Sequence, residues 1–100
     1  MNEKLNKLFE ENIKNNLKSQ NYSECISLLK NKINEIFTYK ISKQIKNFRY
    51  TCLEDLLDIG TSTLLVEDLT ILNEYYLTIR KDLSNEYKVA KLMEIYKKIK

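Results

Sequence analysis

The 100-residue sequence has no histidine, no proline, no tryptophan, one glycine and two cysteines. The missing histidine removes the commonest general base and the commonest metal ligand at neutral pH, and with them most hydrolytic mechanisms. One glycine, Gly60, cannot build a GxxxxGK[ST] phosphate loop or a GxGxxG turn, so nucleotide binding of those kinds is excluded. The scarcity of turn formers also argues against an all-β fold built on tight hairpins. Cys25 and Cys52 are too few and too far apart for a zinc site. In a chain of this size they read as reduced core thiols of an intracellular protein. No run approaches the roughly 18 apolar residues of a membrane span. The opening MNEKLNKLFEEN is an amphipathic pattern rather than a signal peptide, and the expectation is a cytoplasmic protein with no membrane association.

What is present suits one globular domain. Apolar residues make up 43% of the chain and charged residues 31%, and a chain of this length buries a core without metals or disulfides. The net charge of +3 is small for a dedicated nucleic-acid binder, but it is unevenly placed. Residues 1–50 carry ten basic and five acidic side chains; residues 51–79 carry no Lys or Arg at all, while Glu54, Asp55, Asp58, Glu67, Asp68 and Glu74 fall there.

Apolar residues recur at spacings of three and four along almost the whole chain, the sign of amphipathic helices on a shared core. The pattern predicts an all-α, single compact bundle of four to five helices over residues 1–100. The first spans about Glu3 to Ser19, with Leu5, Leu8, Phe9, Ile13 and Leu17 on one face. A second opens after Asn21, an N-cap with Glu24 three positions later, and carries Cys25, Ile26, Leu29, Ile33, Ile36, Phe37 and Ile41. A short third helix from Thr51 to Gly60 would bury Leu53, Leu56 and Leu57. The fourth starts between Thr63 and Glu67, with Leu65, Leu69, Leu72, Tyr76 and Ile79 as its stripe. The fifth follows an N-cap at Ser84 and turns Val89, Leu92, Met93, Ile95, Tyr96 and Ile99 inward, with Leu83 packing at the preceding turn.

Little of this is chemical machinery. The acidic pairs around Glu54 and Glu67 lack the glycine and oxygen-ligand spacing of a calcium loop and read as solvated surface. Cys52, at a helix start, has no histidine to pair with. The tyrosines fall at core edges, where a ring is buried and the hydroxyl finds a polar partner. The sequence points to no catalytic residue, no metal, no cofactor and no small-molecule substrate. An enzyme built on Arg80 with Asn85 or a tyrosine has no base of suitable pKa.

Two binding surfaces can be drawn instead. On the fourth helix Val66, Ile71, Tyr75 and Leu77 exceed what a single buried stripe needs, which makes them candidates for an interface with a partner protein or a second copy of the chain. Lys40, Lys43, Lys46 and Arg49 interleave with Tyr39, Phe48 and Tyr50, and with Arg80 they are the candidate nucleic-acid contacts. Basic residues at every third position spiral around a helix rather than form a ridge, so the protein partner is the leading expectation.

The order of segments carries a family likeness. Asn21-Tyr22 leads into SECISLLKNKINEIFTYKI, then LEDLLDI, then LNEYYLTIRKDL. This order resembles the HEPN superfamily, small helical bundles associated with nucleotidyltransferases and RNase toxins and often paired as dimers. Arg80 matches the arginine of that family's Arg-x4-6-His motif, but Asn85 stands five residues on and no histidine follows. Over Asn21 to Ile99 the resemblance implies an RNA-associated or toxin-antitoxin-related protein whose RNase site is degenerate.

Overall fold

The computed structural model describes residues 3–42 and 66–100, and these are all-α: α1 (Glu3–Lys18), α2 (Tyr22–Ser42), α3 (Val66–Arg80) and α4 (Asn85–Ile99), with no strand among them. The short helix expected from Thr51 to Gly60, with Cys52, lies outside the described residues. So do Lys43, Lys46 and Arg49.

A turn of three residues joins α1 to α2, and its geometry is set by backbone hydrogen bonds. Gln20 takes a positive φ of 59°. Its N–H donates to the Leu17 carbonyl at 3.0 Å, and the Asn21 N–H donates to the Asn16 carbonyl at 2.8 Å. This is the Schellman arrangement, with Gln20 in the left-handed position that glycine usually fills. The Asn21 carbonyl then accepts from the Cys25 N–H at 3.1 Å, so one helix ends and the next begins within three residues.

The core is a stripe of α2 packed on one face of α4. Cys25, Leu29, Ile33, Phe37 and Ile41 are buried on α2 at a constant spacing of four, opposite buried Val89, Leu92, Ile95, Tyr96 and Ile99 on α4. A spacing of four drifts about 40° per step around a helix, so this stripe winds across α2 and suits a helix crossing its neighbour at an angle. Ser84 caps α4 through its hydroxyl, which accepts from the Tyr87 N–H at 3.2 Å. The cap at Ser84, the inward face of α4 and half-buried Leu83 fall where the sequence puts them, whereas Asn21, just before α2, turns its side-chain amide onto Asn16 Oδ1 instead of the first turn.

α1 lies less deeply than its sequence suggests. Ile13 is its one fully buried residue; Phe9 and Leu17 pack partly against the core, and Leu5 and Leu8 are exposed. At 100° per residue Leu5 sits about 80° and Leu8 about 140° around the helix from Ile13, so a helix resting mainly on α2 cannot bury all three. The Cys25 thiol lies 3.7 Å from the Ile13 carbonyl, the Lys32 ammonium stands 5.6 Å over the Phe9 ring, and the rings of Phe9 and Tyr96 are 5.1 Å apart. Lys100 holds Glu10 at 2.9 Å, which ties the end of α4 to α1.

Candidate functional site

α3 is the helix whose surface the apolar pattern left undecided. It runs antiparallel to α2: Asn34 Nδ2 donates to the Tyr75 hydroxyl at 3.2 Å, and Lys40 Nζ lies 3.2 Å from Asp68 Oδ1. It also packs along α4, with Lys98 Nζ 3.1 Å from Glu74 Oε2. These contacts fix its rotation. Asp68, Leu72, Tyr75, Tyr76 and Thr78 face inward, and Leu69, Ile71 and Ile79 are partly buried against the core.

The four candidate interface residues therefore separate. Tyr75 is fully buried at 0% exposure, so it belongs to the core and not to an outer surface; its ring lies 6.0 Å from that of Tyr76. Ile71 packs at the core margin. Val66 and Leu77 do point outward, at 77% and 54% exposure. Asp68 is a second departure from expectation: read as solvated surface, it is 1% exposed and anchored by Lys40. Thr78 is buried as well, its hydroxyl donating to the Glu74 carbonyl at 2.7 Å. Such a bond to the preceding turn lets a threonine enter a core with no other partner.

On the outer face of α3 Val66, Thr70, Asn73 and Leu77 are all exposed, with exposed Arg80 at the C-terminal end of the same face. Positions i, i+4, i+7 and i+11 fall within about 60° of one another on a helix, so these four form one line, and none is charged. The Thr70 hydroxyl is turned back onto the Val66 carbonyl at 3.0 Å. At the C-terminal end this line runs into a groove of about 200 Å³ where α3 turns into α4, lined by Leu77, Leu83 and exposed Tyr87, with Glu74, Lys81 and Lys91 around it. Lys91 is paired with Glu94 at 3.3 Å.

Of the basic candidates, Lys40 and Arg80 lie among the described residues, near opposite ends of α3 and not on one surface. Lys40 is engaged by Asp68. Arg80 stacks its guanidinium 4.9 Å from the centre of the Tyr76 ring, one turn back on its own helix. Asn85 is the first residue of α4 and lies exposed. Among the described residues no group of His, Cys, Asp or Glu side chains is placed to hold a metal ion, and no helix is long and apolar enough to cross a membrane. The Cys25 thiol is buried, and that burial, with Glu24 nearby, pushes its pKa above the ordinary value, away from the thiolate a nucleophile needs. A larger trough at the α1–α2 turn is lined by polar groups such as Asn12, Asn16 and Asn21. Their amides bond one another and the helix backbone.

No family model, no curated protein and no solved structure matches the chain. Its class is thus given by the fold itself: a small all-helical domain with four helices among its described residues.

Proposed function

We propose that this protein is a non-catalytic interaction domain that docks on another protein surface through the outer face of α3. The observation that carries the reading is the uncharged line Val66, Thr70, Asn73 and Leu77 on the outside of a helix whose opposite face is already fully used in the core. Nearly a third of this chain is charged, and an outer face without a charge for three turns is what a partner-covered helix carries. The HEPN likeness is compatible with such a role: with Asn85 in the place of the motif histidine and Arg80 stacked on Tyr76, binding is the function left to it. The nucleic-acid alternative loses Lys40 to its ion pair with Asp68.

The test combines stability with contact. Val66→Asp together with Leu77→Asp should leave the melting temperature within a few degrees, since exposed sites change stability by about 0.5 kcal/mol or less. A photo-crosslinking residue at position 77 should join the chain to a protein, and the Asp at position 66 should abolish that product. Loss of the fold in the double Asp variant would place these side chains in the core and end the reading.

A further inference from the structure

The charges that flank the α3 face suggest what covers it. Glu67, in the first turn, and Lys81, just past the last, both sit on the side of the face that also carries Glu74. Each is exposed, and neither forms an ion pair among the described residues. Glu74, between them, is already neutralised by Lys98 at 3.1 Å. The rim of the face is therefore acidic at one end and basic at the other, with a neutral middle.

Resting on the interaction reading above, we infer that the partner is a second copy of this chain, its α3 laid antiparallel on the first. A two-fold axis across the middle of the face sets Val66 against Leu77 of the second copy and Thr70 against Asn73, so both ends meet apolar on apolar. The same axis keeps each rim on its own side and brings Glu67 to the end where Lys81 of the second copy lies. Helical side chains lean toward the helix N-terminus. In an antiparallel pair Glu67 and the opposing Lys81 therefore lean toward each other, which closes an axial offset of about five residues, or roughly 7.5 Å. A parallel pair would carry the two rims to opposite sides of the seam, so that Glu67 meets no opposing Lys81, and is disfavoured. Isologous pairing of this kind is the commonest form of self-association. One pair of 15-residue helices covers less than the roughly 1,200 Å² of a standard stable interface, so the dimer is weak and dissociates on dilution.

The experiment is the mass of the full chain by sedimentation equilibrium over roughly 10 μM to 1 mM, the range in which so small an interface associates. The wild-type mass should rise from monomer toward dimer. Glu67→Lys alone and Lys81→Glu alone should each weaken association about tenfold, because each sets like charges together at both symmetric rims. An equimolar mixture of the two single variants should regain wild-type association, since every rim pair is then opposite in sign. Circular dichroism checks that both variants keep their helices. A wild-type mass that stays monomeric throughout, or single variants that associate as well as wild type, or a mixture that does not recover, would overturn the self-pairing. If position 77 crosslinks only to other proteins while the mass stays monomeric, the self-pairing is overturned and the interaction reading survives. Unfolding of the double Asp variant would remove that reading itself.

Discussion

Lys40 Nζ lies 3.2 Å from Asp68 Oδ1, joining a half-exposed lysine near the end of α2 to a buried carboxylate in the first turn of α3. The pair anchors the start of α3 against α2, and with the Asn34–Tyr75 hydrogen bond it fixes which face of α3 turns inward. The carboxylate also sits at the helix N-terminus, where the backbone dipole favours a negative charge.

Removing the cation should therefore cost more than an ordinary surface charge. Lys40→Met leaves Asp68 buried without its ammonium and should lower stability by about 1–2 kcal/mol. Lys81→Met, at an exposed site, should change it by less than about 0.5 kcal/mol. Urea unfolding of the two variants measures the contrast, and equal effects would show that the pair does not anchor the helix.

Two residues within one turn of α3, on opposite faces, should respond very differently to truncation. Tyr75→Ala removes a fully buried ring and should destabilise by about 3–5 kcal/mol. Leu77→Ala, at 54% exposure, should fall within about 0.5 kcal/mol of wild type. Thermal melts of both variants read the rotation of the helix directly.

Gln20→Gly should be stabilising. Gln20 holds a positive φ of 59°, which costs a residue with a Cβ on the order of 1 kcal/mol. Glycine adopts it freely but has more freedom to lose on folding, so a net gain of about 0.5 kcal/mol is expected in the denaturant midpoint.

Stability should fall in alkali. Burial raises the pKa of Cys25, with Glu24 adding to the effect, and burial raises that of Tyr96, with Glu10 adding and Lys100 opposing. In both cases the folded state holds its proton more tightly than the unfolded chain does. The stabilisation is complete below the ordinary values of 9.0 and 10.0 and is lost as pH rises through the higher folded values. Unfolding curves from pH 7 to 11 should show the decline, and Cys25→Ala and Tyr96→Phe should each flatten it. The Tyr96 hydroxyl is buried with no hydrogen-bond partner among the described residues. Tyr96→Phe should accordingly be neutral or stabilising by about 1 kcal/mol at pH 7.

Much of this was legible in the sequence because helices report themselves locally. Apolar spacing put Cys25, Leu29, Ile33, Phe37 and Ile41 on the inner side of α2, together with Ile26 and Ile36, which are only partly buried, and Ser84 marked the start of α4, since capping needs only a side-chain oxygen at the right offset. α3 resisted. The expected stripe of Leu69, Leu72, Tyr76 and Ile79 does face the core, but Val66, Ile71, Tyr75 and Leu77 widened it beyond one face and periodicity did not say which of these were covered; the rotation adopted also buries Asp68 and Thr78, two residues that a hydropathy pattern places outside. Nor did any local signal reveal that Lys40 would be held by an acid 28 residues further on.

The sequence by itself determined the all-helical class, where α2 and α4 begin, and the absence of a histidine base or a glycine phosphate loop; these follow from composition and from interactions within one or two turns. Only the tertiary structure decided which side of α3 is core. That choice rests on α2 and α4, on Lys40, Asn34 and Lys98, whose positions across the fold no local spacing encodes. With it the tertiary structure also decided that Tyr75 is buried while Val66 and Leu77 remain outside, on a line that carries no charge between them.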